Sequence, residues 1–166
     1  MNTLAPTRPT ALHRRHIPLA AGPAAAGRAR HQVEEAISSW DVPVDPDIAV
    51  LLTSELVTNA IRYEAGETVV LAIACGRDEL RVDVHDTSCI LPVPADAPAD
   101  AETGRGLTLV NALSAEWGSY RTPAGKAVYF TLAFESRARD GSQSCPAGCA
   151  RTGTPRRKPT MMHHSR

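Results

Sequence analysis

Three groups of residues in this 166-residue chain are of types that bind or move charged groups. The first is Glu55 and Asn59, four apart in "TSELVTNAIRY", Thr53 to Tyr63. Four residues is just over one helical turn, so a helix here stacks the carboxylate and the amide on one face. A carboxylate can take a proton from a hydroxyl or water, and an amide oxygen suits a hard cation. The second is Asp86, followed by Thr87 and Ser88. It ends an alternating stretch and precedes an irregular one, where loops carry ligand contacts on a rigid scaffold. The third is Gly104-Arg105-Gly106-Leu107, two glycines at the start of an apolar helical pattern. Glycine lets backbone approach a ligand closely, and the first turn of a helix offers unpaired N–H groups to an anion.

Each group also has a plain structural reading. The Glu–Asn pair can be satisfied by neighbouring backbone or by an arginine such as Arg62. Asp86 can serve as a turn or cap residue. Glycine at a helix start is frequent without any ligand, and the G-x-G-L run has neither P-loop spacing nor the strand-first setting of a dinucleotide fingerprint. What the three groups mean together depends on the elements that carry them.

The helix bearing Glu55 and Asn59 is the best signalled. Asp45 can cap it, Pro46 fits its first turn, Asp47 suits its positive end, and Gly66 stops it after about Glu64. On a wheel of about 100° per residue, Ile48, Leu51, Leu52, Leu56 and Tyr63 form an apolar stripe that contains Glu55 and Asn59. Val50, Val57 and Ile61 form a second stripe, so the helix is expected to be buried on both flanks. An earlier helix is predicted from about Ala24 to Trp40. "HRRHIPLA", from His13, is predicted as an edge strand, because Pro18 has no N–H for a central ladder.

After the Glu–Asn helix, "TVVLAIACG" (Thr68 to Gly76) and "LRVDVHD" (Leu80 to Asp86) predict an antiparallel hairpin. Residues 88–103 are too rich in proline breaks for regular structure. A helix follows from about Arg105 to Ser114, then a strand "EWGSYRT", a turn "PAGK" and a last strand "AVYFTLAF" ending near Phe134. Residues 1–12 and 136–166 are polar or Pro-rich and are expected to be disordered, leaving one domain at 13–135. The expected class is α+β: a two-layer sandwich with a mixed, mostly antiparallel sheet covered on one face by helices.

Composition narrows the function classes. Lys+Arg and Asp+Glu are 18 each, which gives no reason to expect bulk attraction to nucleic acid or to an anionic membrane. No apolar run is long enough to span a bilayer, and "LAAGPAAAG" is broken by Gly and Pro, unlike a secretory signal. A cytoplasmic protein with reduced thiols is therefore expected. Cys75, in an apolar run, reads as a buried free thiol. Cys145 and Cys149, with His163 and His164 further on, have the setting of a loose tail rather than of a zinc site.

The order of the motifs carries more than any one of them. E-x3-N on a helix, a hairpin ending in Asp, an irregular loop and G-x-G-L on a helix together resemble the Bergerat-fold (GHKL) ATP-binding domain of histidine kinases, gyrase B and MutL. The resemblance covers about residues 14–134. It is strongest to the bacterial anti-sigma-factor serine kinases and their stand-alone ATP-binding relatives in actinomycetes. "SELVTNAIRY" is similar to that family's N-box, "VDVHDTS" to its first glycine box and "TGRGLTLVNALSAEWG" to its second.

The resemblance implies ATP and Mg²⁺ as cofactors. Asn59 would coordinate the Mg²⁺ that bridges the phosphates, and Glu55 would be the catalytic base. Asp86 would accept from the adenine amino group, with Ser88 beside it. Gly104, Arg105, Gly106 and Leu107 would form the phosphate-facing turn, and residues 88–103 the ATP lid. The implied function is an ATP-binding regulator of the anti-sigma-factor type with serine/threonine kinase activity. Its partners would be a sigma factor or an anti-anti-sigma protein of the STAS type. The alternative is a nucleotide-sensing interaction module without kinase activity. Relatives of this kind often form dimers, so a homodimer is among the expected states. The chain departs from the superfamily pattern in three places. Asp86-Thr87-Ser88-Cys89-Ile90 stands where Asp-x-Gly-x-Gly is common, Tyr63 where His is frequent, and Ala127 where Thr often follows Gly-Lys. No histidine lies in a dimerisation-helix context, which speaks against a sensor histidine kinase.

Overall fold

The computed structural model describes residues 11–63, 66–91 and 105–135, all within one compact unit, Met1–Ser136. The elements run β1 (His13–Ala20), α1 (Ala25–Ser39), α2 (Pro46–Tyr63), β2 (Thr68–Cys75), β3 (Glu79–Asp86), α3 (Arg105–Leu113), β4 (Glu116–Thr122) and β5 (Gly125–Ala133). This is the predicted order of elements. The expectations for residues 1–10, for most of the loop at 88–103, for Gly104 and for the C-terminal segment at 136–166 lie outside the described residues.

The five strands form one sheet in the order β1-β2-β3-β5-β4. All four pairings are antiparallel, so the sheet is not mixed as the sequence allowed. β1 takes the edge expected from Pro18. Period-two alternation then sorts the side chains into two faces. Val69, Leu71 and Ile73 of β2, Leu80, Val82 and Val84 of β3 and Phe130 and Leu132 of β5 point to one core. Ala25, Ala29, Val33, Ala36 and Ile37 of α1, Ala49, Leu52, Leu56, Val57 and Ala60 of α2, and Val110 of α3 close it from the other side. The helices therefore form the second layer of an α+β sandwich.

Local chemistry explains where α2 begins. Asp45 Oδ1 accepts from the N–H of Asp47 at 2.9 Å, and its carbonyl accepts from Ala49 N. The cap satisfies an N–H that has no partner within the helix. The buried face of α2, however, differs from the stripe read on the wheel. It comprises Ala49, Leu52, Thr53, Leu56, Val57 and Ala60, whereas Leu51 is 39% exposed. Glu55 and Asn59 are half-buried on the flank of this face, not at its centre. The wheel weighted the large apolar residues and passed over the small ones, Ala49 and Ala60, which are buried in the core.

The sheet face away from the helices carries a polar network. Arg81 and Asp83, two apart on β3, form a bidentate pair at 2.9 and 2.8 Å. Tyr120 Oη donates to Asp83 Oδ1 at 3.0 Å, and the Arg81 guanidinium lies 3.8 Å from the centre of the Tyr129 ring. Burial lowers the Arg81 pKa, but the Asp83 carboxylate more than reverses this and leaves it raised. Tyr129 Oη donates to Glu116 at 2.7 Å. Burial first, and that hydrogen bond second, push the Tyr129 phenol up to about 12. Cys75 is a buried free thiol as expected, and burial raises its pKa.

Candidate functional site

Glu55 and Asn59 meet α3 at Gly106. A methyl group at Gly106 would overlap Glu55 Oε2 and would stand 3.4 Å from Glu55 Cδ and 3.6 Å from Asn59 Nδ2. The absence of a side chain at residue 106 is thus what allows the first turn of α3 to lie against the carboxylate and the amide of α2. A carboxylate is favoured there by the positive end of the helix. The same property makes the turn receptive to other anions.

Glu55 and Asn59 have no ion-pair or hydrogen-bonding partner among the described residues. The pairing with Arg62 that would have made them purely structural is not formed. Both are half-buried and none of their polar atoms is sealed from solvent. The pair therefore lines a wall that water and solutes reach, which is how α2 carries them without a costly unpaired charge.

Asp86 ends β3 on the helix-facing side, in phase with Val82 and Val84. Its side chain is 1% exposed. Its Oδ1 accepts from Lys126 Nζ at 3.0 Å and from the N–H of Ser88 at 3.0 Å. Ser88 Oγ in turn accepts from Ile90 N at 3.2 Å. Ser88 is thus part of the local turn that shapes the start of the loop. Cys89 O accepts from Arg121 Nη1 of β4 at 3.3 Å. Gly125 is a second close approach. A methyl group there would overlap the Asp86 carbonyl oxygen and lie 2.6 Å from Thr87 backbone atoms, and its φ is +157°. The start of β5 therefore packs directly on the Asp86–Thr87 backbone.

Sequence reasoning missed Lys126. It assigned Gly125 and Lys126 to the turn "PAGK", whereas β5 begins at Gly125. Had the strand been started there, alternation from Phe130 and Val128 would have put Lys126 on the core side, opposite Asp86. Leu107, also singled out, is half-buried against the core from α3. The far end of α3 is tied to β4 by a 2.9 Å hydrogen bond from Trp117 Nε1 to Asn111 Oδ1.

The family model of the histidine kinase-like ATPase domain matches residues 19–132, well over half of the chain. The chain belongs to the histidine kinase-like ATPase domain family. The match runs from the end of β1 to near the end of β5, so this ATPase-like domain includes Glu55, Asn59, Asp86, Gly106 and Lys126. Family membership implies ATP as the nucleotide, commonly with Mg²⁺. Among the curated proteins none matches the chain. Among the described residues no helix is long and apolar enough to cross a membrane, and no cluster of three His, Cys, Asp or Glu could hold a metal unaided. A Mg²⁺ held here would take most of its ligands from phosphate and water, for which one amide oxygen suffices on the protein side.

Proposed function

We propose that this histidine kinase-like ATPase domain is an ATP-binding regulator of the anti-sigma-factor type. In this reading it phosphorylates a serine or threonine of an anti-anti-sigma partner of the STAS type and holds a sigma factor. The observation that carries the nucleotide site is the closure of Gly106 on Glu55 and Asn59. A carboxylate and an amide without partners among the described residues face the first turn of a second helix across Gly106, which has no side chain in the way.

Each residue then has a defined task. Asn59 would supply an oxygen to Mg²⁺, whose charge would offset that of the phosphates. The backbone N–H groups at Gly106 and Leu107, with those of Gly104 and Arg105, receive phosphate oxygens. Asp86 accepts from the adenine amino group at the far end of the cleft. Glu55 takes the proton of the partner's hydroxyl as that oxygen attacks the terminal phosphorus and the bond to ADP breaks. Catalysis is then chiefly positioning and electrostatics. Phosphate on the partner adds about −1.5 to −2 charge and weakens its contact. The cytoplasm, where sigma factors act, is the compartment this reading requires.

A second reading is a nucleotide-sensing module that binds ATP and transfers nothing. It is favoured by the Glu55 carboxylate lying against the first turn of α3. Incubation with ATP labelled on the terminal phosphate and STAS-type partners separates the two. Transfer that disappears in Glu55→Ala supports the kinase. Binding of ATP without transfer to any partner supports the sensor.

A further inference from the structure

The sheet face away from the helices holds a cavity that the nucleotide site does not use. Its floor includes two small residues of β2, Ala72 and Ala74. Its walls come from the strands on either side, Arg14 and His16 of β1 and Arg81 and Asp83 of β3. The register makes this a regular array. Arg14, Ala74 and Arg81 lie in one row across the sheet, and His16, Ala72 and Asp83 in the next. With neighbouring strands about 4.8 Å apart, the two walls stand roughly 10 Å from each other. Alanine at both central positions leaves the space between them unfilled.

The charges around this space do not cancel. The Asp83 carboxylate is held by Arg81 Nε at 2.9 Å, Arg81 Nη2 at 2.8 Å and Tyr120 Oη at 3.0 Å. The same pairing leaves Arg81 Nη1 without a hydrogen-bond partner among the described residues, on a side chain that is 5% exposed. Arg14 is exposed and has no ion pair or hydrogen bond among the described residues. Two guanidinium groups therefore share the cavity with one carboxylate, and the excess charge is positive. His16 adds an imidazole, which can donate from a ring nitrogen. A guanidinium fork matches a carboxylate or a phosphate. Size separates the two. The cavity measures about 20 Å³, against the roughly 10–15 Å³ that one water requires. That suits a planar carboxylate and is tight for a tetrahedral phosphate.

We propose that Arg14, His16 and Arg81, over Ala72 and Ala74, bind a single carboxylate group. The site lies on the opposite face of the sheet from the helices that carry Glu55, Asn59 and Gly106, because β3 turns Val82 and Val84 to the core and Arg81 and Asp83 away from it. It stands whether or not the chain binds ATP. A small free acid and the acidic side chain of a partner protein both present this group.

The test is a titration of the full, isotope-labelled chain, followed by NMR, with acetate, with inorganic phosphate and with a blocked Ala-Glu-Ala peptide, at constant ionic strength and pH. The backbone signals of Ala72 and Ala74 and the Arg81 Nε–H signal are compared in the wild type, Arg14→Gln and Ala74→Leu. Circular dichroism checks that each variant folds. Acetate is expected to shift these signals saturably, with a dissociation constant of about 1–10 mM for so small a ligand. Arg14→Gln should weaken binding by about tenfold through loss of a charged donor. Ala74→Leu should weaken it as much with every charge in place, because it fills the space. Arg14 is exposed, so its variant carries the test if Ala74→Leu does not fold. Tighter binding of the peptide than of acetate assigns the site to a partner's acidic side chain, and equal or weaker binding assigns it to a free acid. Phosphate binding as tight as acetate binding overturns the proposal. So does unchanged affinity in either folded variant, or no saturation by acetate or peptide up to about 100 mM.

Discussion

Gly106, in the first turn of α3, backs onto the carboxylate of Glu55, and a Cβ at that position would overlap Glu55 Oε2. Two helices about fifty residues apart in the chain are thereby brought together at a point where only backbone separates them. The contact is made by the far end of a flexible side chain, so it can give way.

That flexibility sets the expected outcome of Gly106→Ala. Alanine is favoured over glycine inside a helix by about 1 kcal/mol, and the Glu55 carboxylate can swing aside. The variant should unfold within a few degrees of the wild type. Under the proposed nucleotide-site reading its nucleotide affinity should fall by about tenfold, because both the first turn of α3 and the adjacent carboxylate are displaced. Thermal unfolding and a nucleotide titration, run on the same preparation, check the two halves.

Gly125→Ala should behave in the opposite way. Its Cβ would meet backbone, the Asp86 carbonyl and Thr87, and its φ of +157° is one that side chains rarely adopt. Neither obstacle can rotate away. The loss should exceed about 1 kcal/mol and appear as a lower midpoint in urea or heat, before any nucleotide is added.

Tyr129 gives the fold an alkaline limit. Its phenol is pushed from 10.0 up to about 12, by burial and by its bond to Glu116. The folded state thus holds this proton more tightly than the unfolded chain. Its contribution is fully present below about pH 10 and is lost as pH rises through about 12. Tyr129→Phe cannot titrate, so its midpoint should fall less steeply than the wild type's between those limits. Parallel slopes for the two proteins would contradict the assignment.

Much of this was legible in the sequence, and the failures have physical causes. Every strand and helix among the described residues was signalled, because turn residues such as Asp45, Pro46 and Gly66 bracket clean periodic runs. Pro18 placed β1 at the edge on hydrogen-bonding grounds alone. The face of α2 was misjudged because Ala49 and Ala60 are buried in the core without hydrophobic bulk. The pairing of Asp86 with Lys126 was missed for a different reason. Lys126 is forty residues away, and only the β3–β5 register brings it opposite. The Arg81–Asp83 pair was not singled out, although residues two apart on a strand share a face.

The central claim, that Asn59 and Gly106 frame a Mg²⁺–nucleotide site on α2 and α3, is tested most directly by calorimetric titration of ATP. The titration is run with and without Mg²⁺ on the wild-type chain and on Asn59→Ala. The account predicts saturable binding by the wild type that requires Mg²⁺ and weakens by about tenfold or more in Asn59→Ala, with the fold intact. Binding of equal strength in the two proteins, or none by the wild type at millimolar nucleotide, would contradict it.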